Sequence, residues 1–168
     1  GRSGTGKTRL LKQIPHSIDL EGLANHRGSA FGPTTTPQPS QIDFENGVAI
    51  ALLKAEAAGY TTLVVEDESR NVGSLHVPVV LNLKMNQSPM VMLEVPDEDR
   101  VTITVQEYAE DIHLEYCRQF GEYQGLQKLE KHLIDSLTKL HKRLGGVRFS
   151  RMLQMMKGAI KQLAFQRS

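Results

Sequence analysis

Short apolar runs bounded by acids, glycine or proline recur along the first two thirds of the chain. They read HSIDL, TTLVV and MVMLEV, at residues 16–20, 61–65 and 90–95. Runs of this length, rich in β-branched residues and flanked by turn signals, are typical of buried parallel strands. The pattern therefore predicts three strands of a parallel sheet.

Helical spacing separates these runs. Apolar residues recur along a helix that Ser40 can cap and that Gly59 ends. The other predicted helices are residues 6–13, residues 79–87, and a helix from Asp97 to Phe120 that can be broken along its length. Residues 21–39 are rich in Gly, Pro, Thr and Ser, and a long irregular stretch inside a domain is usually functional or mobile.

Beyond Gly121 the apolar pattern is helical only. A leucine stripe predicts one helix that ends at Gly145 and Gly146, and a second apolar stripe predicts another helix after them. We therefore expect two domains: an α/β domain over residues 1–120 and a basic helical extension over residues 121–168.

Charge is divided unequally between these two parts. Residues 1–120 carry 10 Lys and Arg against 16 Asp and Glu, whereas residues 121–168 carry 10 against 3. A basic segment on an acidic body suggests a polyanionic partner, nucleic acid first. A solvated basic face that docks on the acidic body explains the charge equally well. The candidate RNA contacts are Arg143, Arg148, Arg151, Lys157 and Lys161.

Composition narrows the setting. The chain has 168 residues, 39% of them apolar, and no run approaches the roughly 20 apolar residues of a membrane span. Its one cysteine, Cys117, lies in a predicted helix, where a structural thiol is the stronger interpretation. A single cysteine suits a reducing compartment, so we expect a cytoplasmic protein without membrane contacts.

The first eight residues, GRSGTGKT, match the Walker A pattern in full. Glycines let successive backbone N–H groups point inward around an anion, the helix that follows presents its positive end, and Lys7 adds a charge. The predicted phosphate-binding residues are Gly1, Ser3, Gly4, Thr5, Gly6, Lys7 and Thr8. Such a loop ordinarily follows a buried central strand, so we expect that the first strand of the sheet is missing from this chain.

Acids that end the second apolar run predict a metal site. Glu66, Asp67 and Glu68 follow TTLVV directly, as the acids of a Walker B strand do. One of them, with the hydroxyl of Thr8, could hold Mg²⁺. We assign Thr8, Glu66 and Asp67 to this site, although the spacing does not choose among the three acids. The alternative is a surface acid cluster at a strand end.

Further candidates lie near the predicted carboxyl edge of the sheet. The candidate catalytic residues are Asp19, Glu21, His26 and Arg27. An acid at this edge can orient or deprotonate an acceptor, but loop acids explain the spacing equally well. Arg70 and Arg100 could stabilise a transferring phosphate, or pair with neighbouring acids instead.

The segment DLEGLANHRGSAFG, residues 19–32, is more specific than a Walker pattern. Together with GRSGTGKT, QPSQ at residues 38–41, FEN at residues 44–46 and VEDESR at residues 65–70, it closely resembles the tRNA 2-selenouridine synthase family over essentially the whole chain. The resemblance implies an α/β fold of the P-loop NTPase type, a parallel sheet flanked by helices, with a C-terminal helical subdomain.

The resemblance also implies chemistry. Members of this bacterial family carry an N-terminal rhodanese-like domain and act on the wobble uridine of certain tRNAs. The 2-thiouridine is geranylated from geranyl diphosphate, and the geranylthio group is then replaced with selenium from selenophosphate. We expect these two substrates and the tRNA anticodon arm as partners. We expect no tightly bound cofactor, and Mg²⁺ is the candidate metal ion. The rhodanese-like domain is absent here, so we expect the chain to be an incomplete transferase.

Two other classes of function fit the same residues. An NTP-driven kinase or ATPase would use Asp19 or Glu66 as base or metal ligand. A pure RNA-binding module would use the loop only as a phosphate clamp.

Overall fold

The computed structural model describes residues 4–165. The chain divides into two compact units, Gly1–Thr104 and Val105–Ser168, called here the N-terminal and C-terminal units. The division falls after Thr104, whereas the sequence analysis placed it after Phe120. The helix that ends at Phe120 packs against the helix that follows it, and this contact assigns it to the C-terminal unit.

The N-terminal unit combines short strands with five helices in its described part. Strand β1 is Ser17–Ile18, β2 is Val64–Val65, β3 is Asn71–Val72 and β4 is Leu75–His76. The helices are α1 (Lys7–Leu11), α2 (Leu20–Leu23), α3 (Gln41–Ala57), α4 (Val79–Asn86) and α5 (Asp97–Val105). β1 and β2 are parallel, with Ser17 opposite Val64, and β3 and β4 form an antiparallel hairpin.

The core of this unit lies between α3, the strands and α2. Its buried members are Ile18, Leu20, Ala24, Phe44, Val48, Val72, Leu75 and Val77. Phe44 and Val48 lie one helical turn apart on α3, as the predicted stripe required. The predicted cap is confirmed, because the Ser40 hydroxyl accepts a hydrogen bond from the Asp43 N–H at 3.2 Å. This core supports β1 and β2 from one side.

The predicted strand at residues 90–95 is wrong. The segment is irregular, and Met90, Val91 and Met92 are 68%, 93% and 67% exposed. A strand is stable only when a neighbouring strand pairs with its backbone, and none of the described strands does so here. The described parallel sheet is therefore limited to β1 and β2.

The C-terminal unit is helical. Its helices are a π-helical segment (Gln106–Glu110), α6 (Asp111–Phe120), α7 (Glu122–Lys139) and α8 (His141–Phe165). The break predicted at Gly145 is confirmed by a kink inside α8, where this residue has a φ of 73°. The leucine stripe does not form one helix, because the chain also breaks at Leu140, between α7 and α8.

Helices α6 and α7 pack closely through a small apolar core. Ile112, Tyr116 and Leu129 are buried together. The contact needs glycine at position 125, because a Cβ there would lie 2.7 Å from the backbone oxygen of Tyr116. Cys117 on α6 is a half-buried free thiol. None of the described helices is both long enough and apolar enough to span a membrane.

Candidate functional site

Glycines shape the described part of the phosphate-binding sequence. Gly4 and Gly6 have φ values of 76° and 74°, a region that glycine adopts without strain. A Cβ at Gly4 would also lie 2.7 Å from the carbonyl oxygen of Arg100 on α5, so the loop and α5 pack without space for a side chain. Of the predicted phosphate-binding residues, Gly1 and Ser3 lie outside the described residues.

The other predicted members of the loop occupy different depths. Thr5 is buried, whereas Lys7 and Thr8, the first residues of α1, are half-buried. The left-handed conformation at Gly4 and Gly6 is compatible with the curled backbone of an anion-binding nest.

The parallel pair brings two acidic segments to one edge. The Glu66 N–H donates to the Ile18 carbonyl at 3.2 Å, which continues the ladder past the end of β2. On the β1 side, the chain turns at Asp19 into α2, and Glu21 lies in the first turn of that helix. Because the carboxyl ends of parallel strands meet at one edge, acids distant in sequence come together.

Three carboxyl groups converge at this edge. One oxygen from each of Glu21, Glu66 and Glu68 lies within 4.8 Å of the others. Asp67, predicted as a metal ligand, is exposed. The Glu68 N–H donates to the Glu66 carbonyl at 3.0 Å, so the chain turns tightly at Asp67, between the buried Glu66 and the half-buried Glu68. Among the described residues, the carboxyl cluster is thus Glu21, Glu66 and Glu68.

Burial and mutual repulsion perturb these carboxyl groups. Burial, then the charges of Glu66 and Glu68, raise the pKa of Glu21 to about 8. Burial, then the charges of Asp19 and Glu68, raise the pKa of Glu66 to about 7. Burial also raises the pKa of Glu68 above its usual range. The positive charge of Lys7 opposes all three shifts, so this lysine lies close to the carboxyl cluster.

Asp19 has a structural function in α2. Its carboxylate accepts the Gly22 N–H at 2.7 Å and so caps the helix. A Cβ at Gly22 would lie 2.6 Å from the same carboxylate, which explains the glycine. Helix α2 was not predicted from the sequence, although an aspartate before Leu-Glu-Gly is a capping signal.

His26 and Arg27 belong to an ordered loop. The His26 ring is buried, and its Nδ1 accepts the Gly28 N–H at 3.1 Å. The Arg27 N–H donates to the Gly32 carbonyl at 2.9 Å, and the Arg27 side chain is half-buried. A Cβ at Gly32 would lie 2.6 Å from the His26 ring. The observed contacts of His26 hold the loop in shape.

Gly28 places this loop against the carboxyl cluster. Its φ is 60°, and a Cβ there would collide with Glu21 Oε1 and lie 3.1 Å from Glu68 Oε2. Only glycine lets the backbone approach these two carboxyl groups so closely. The sequence contained this glycine, but spacing alone could not pair it with both Glu21 and the distant Glu68.

The two candidate arginines differ. The guanidinium of Arg100, on α5 beside the phosphate-binding loop, pairs with Asp97 at 2.7 Å. Of the two alternatives left open for Arg100, pairing with a neighbouring acid is the one observed. Arg70 is exposed, just after the carboxyl cluster.

The predicted RNA contacts all lie exposed on α8. Arg143 precedes the kink, and the other four follow it: Arg148, Arg151, Lys157 and Lys161. At 3.6 residues per turn, the two arginines and the two lysines point roughly 130° apart, so the four do not form a single stripe. A flat partner would meet one pair or the other.

A glycine-shaped loop, a helix after it, and acids at the carboxyl edge of a parallel pair define the class of P-loop α/β domains. The chain belongs to the tRNA 2-selenouridine synthase family: the family model described as the tRNA 2-selenouridine synthase AAA domain matches residues 1–168. No solved structure shows a significant match.

Curated relatives of the chain carry the name of the same family. The chain is 49% identical to the tRNA 2-selenouridine synthase of Pseudomonas syringae pv. syringae (strain B728a), over 96% of the chain and 44% of the relative. It is 44% identical to that of Marinobacter nauticus, again over 96% and 44%. The chain therefore spans less than half the length of these relatives.

Proposed function

We propose that this chain is the anion-binding part of a tRNA-modifying transferase that converts wobble 2-thiouridine to 2-selenouridine. The observation that supports the proposal is the electrostatic effect of Lys7 on Glu21, in the DLEG segment (residues 19–22), and on Glu66 and Glu68, after the end of β2. The names of the relatives support tRNA selenouridine chemistry.

In this proposal, the loop from Gly4 to Thr8 binds the diphosphate of geranyl diphosphate and the phosphate of selenophosphate in turn. Backbone N–H groups and a lysine suit both anions, since each presents phosphoryl oxygens. The loop then binds the diphosphate that leaves geranyl diphosphate, or the phosphate of the selenium donor selenophosphate. Neither function requires nucleotide hydrolysis. Of the four candidate catalytic residues, Glu21 is the one that joins the carboxyl cluster beside Lys7, whereas Asp19 and His26 make contacts that hold local structure.

Calorimetric titration with geranyl diphosphate tests the anion site. Lys7→Ala should weaken binding by at least about tenfold, because one charge-assisted contact is lost. Lys12→Ala is the matched control, since Lys12 is an exposed lysine just past the end of α1. Equal binding by both variants and the unchanged protein would contradict the proposal.

A kinase or ATPase is the second candidate, because a buried glutamate at the end of β2 close to the loop lysine is also the arrangement of nucleotide-hydrolysing P-loop domains. Phosphate release from ATP separates the two. Brisk Mg²⁺-dependent release that disappears in Lys7→Ala would favour the hydrolase. Negligible release, with geranyl diphosphate binding intact, supports the transferase.

We propose that Arg148 and Arg151 contact the tRNA anticodon arm. Residues 105–168 carry 11 Lys and Arg against 7 Asp and Glu, and this arginine pair is exposed on one side of α8. Reversing both to Glu should weaken tRNA binding and flatten its salt dependence, without changing geranyl diphosphate binding. Unchanged tRNA affinity in this variant would mean that α8 is only a solvated basic face. A different result would favour the RNA-binding module: tRNA binding that Lys7→Ala does not change, together with no binding of small anions.

We also propose that a further parallel strand, directly preceding the phosphate-binding loop, adds to the exposed edge of β2. Among the described strands only β1 pairs with β2, so the opposite edge of β2 is open to a further strand. Hydrogen–deuterium exchange at Val64 and Val65, compared between this chain and a longer form of the protein, tests the addition.

A further inference from the structure

The carboxyl cluster holds an oxygen atom that no described residue satisfies. Glu66 is 2% exposed, and its Oε1 has no hydrogen-bond partner. Its other oxygen accepts only the Glu21 N–H, at 3.4 Å. A buried carboxylate oxygen without a partner is costly, and native proteins normally satisfy it with an ion, a water or a donor.

The spacing of the carboxyl cluster suits a cation. Ligand oxygens on opposite sides of an ion are separated by about twice the ion–oxygen distance, about 4.1 Å for Mg²⁺ and about 4.8 Å for Ca²⁺. The oxygens of Glu21, Glu66 and Glu68 lie within 4.8 Å of one another. This spacing fits Ca²⁺ directly, and Mg²⁺ requires a small rotation of the side chains that brings the oxygens within about 4.1 Å of one another.

Charge favours the same conclusion. Three ionised carboxylates would place three negative charges around one partly buried point, with Lys7 as the nearby positive charge that acts on all three. A divalent cation together with Lys7 neutralises this group.

We propose that Glu21, Glu66 and Glu68 bind a divalent cation. All-oxygen carboxylate ligands select hard ions, so the site takes Mg²⁺, Mn²⁺ or Ca²⁺. In this set Glu21 and Glu68 stand in place of the predicted Thr8 and Asp67, because the carboxyl oxygens of Glu21, Glu66 and Glu68 converge, whereas Asp67 is exposed at the tight turn between Glu66 and Glu68. The cation site requires neither tRNA nor a phosphate ligand, and so does not depend on the proposed function.

The DLEG segment gains a function from this assignment. Glu21 reaches the end of β2 from the first turn of α2, which Asp19 caps. Gly28 lies against two of the three proposed ligands, and any side chain there would occupy the position of Glu21 Oε1. The capped turn and the glycine thus position a ligand that the strand by itself lacks.

Titration of the full chain with Mn²⁺, after removal of metals with EDTA, tests the site by the loss of the free-ion electron paramagnetic resonance signal. The unchanged protein should show one saturable site below about 1 mM, and Glu66→Gln should weaken it by at least about tenfold. Asp67→Asn is the matched control, an exposed neighbour of the same type, and should leave binding unchanged.

Three results would overturn the proposal. The first is no saturable Mn²⁺ binding by the unchanged protein, which would identify the group as a proton-sharing cluster. The second is unchanged binding in Glu66→Gln. The third is a loss in Asp67→Asn equal to that in Glu66→Gln, which would place the ion on the exposed side.

Two additional measurements keep the test decisive. If Glu66→Gln does not fold, Glu68→Gln, at a half-buried position, should show the same loss of Mn²⁺ binding, and retained binding there would count against the site. Lys7→Ala should bind Mn²⁺ as tightly as the unchanged protein or more tightly, because a nearby positive charge is removed. The same variant loses geranyl diphosphate under the proposed function, so each proposal can fail without the other.

Discussion

The two units of this chain are stabilised in different ways. The N-terminal unit has short strands and a long irregular loop, and side chains bind much of its backbone directly. Gln38, for example, donates to the carbonyls of Ala24 and Val72 at 3.0 Å each and accepts the Ser74 N–H at 2.8 Å. The C-terminal unit satisfies its described backbone within helices, and apolar side chains join α6 to α7. Irregular backbone requires particular side chains to satisfy its hydrogen-bonding groups, and such a network can also hold the side chains of a functional site in position. A regular helix satisfies its own backbone and requires only a periodic pattern of apolar residues to pack.

The largest effect should come from the core of the N-terminal unit. Phe44→Ala removes a side chain that is 1% exposed and should lower the free energy of unfolding by about 3–5 kcal/mol. Ile42→Ala, at a 69% exposed position of the same helix, should cost less than about 1 kcal/mol. Urea unfolding of both variants checks the difference, and similar losses would show that α3 does not carry the core.

Two glycine substitutions in the C-terminal unit should change the free energy of unfolding less, one lowering it and the other raising it. Gly125→Ala places a Cβ 2.7 Å from backbone between α6 and α7 and should cost about 1–3 kcal/mol. Gly158→Ala, on α8 with nothing within 4 Å of the added Cβ, should stabilise by about 0.5–1 kcal/mol. Thermal unfolding followed by circular dichroism measures both, and a stabilising Gly125→Ala would contradict the close contact of the two helices.

The last expected effect is a pH dependence confined to the N-terminal unit. The raised pKa values of Glu21 and Glu66, about 8 and about 7, mean that the folded state holds protons that the unfolded state releases near pH 4.5. Protonation therefore stabilises the fold below about pH 4.5, and this contribution is lost as the pH rises through 7 to 8. The charged groups that act on these two carboxyls are Glu68, Asp19 and Lys7.

Urea midpoints measured in EDTA at pH 5.5 and 8.5 test this dependence. The midpoint should fall at the higher pH, and Glu66→Gln should reduce the fall, because an amide does not titrate. A midpoint that rises with pH would mean that the carboxyl groups are ionised and paired in the folded protein.

A long, regular helix could be predicted from the sequence, whereas the pairing of short or distant segments could not. The apolar stripe on α3 and its Ser40 cap are local signals, so this helix was predicted correctly. The β3–β4 hairpin was missed, because strands of two residues carry too little pattern. The strand at residues 90–95 was wrongly predicted, because an apolar run does not report whether a neighbouring strand is present to pair with it.

The sequence predicted an acidic site at this edge of the sheet, but it did not predict which carboxyl groups form the site. The sequence placed acids at the end of β2 and in the DLEG segment, but it could not show that Glu21 crosses to Glu66. The choice between Asp67 and Glu68 depends on the tight turn after β2, in which the Glu68 N–H donates to the Glu66 carbonyl, and the order of the residues does not specify this turn. The packing of Gly28 on Glu21 is a contact between two loops, which no local pattern encodes.

The exposed segment at residues 90–95 also affects how the protein behaves in concentrated solution. A short apolar run with unpaired backbone groups can recruit identical runs from other molecules into intermolecular sheets. Pro89 and Pro96 flank this run, and Glu94 interrupts it with a charge. Prolines and charges in such places act as gatekeepers against aggregation. The chain thus carries its own protection at a segment that its described strands leave uncovered.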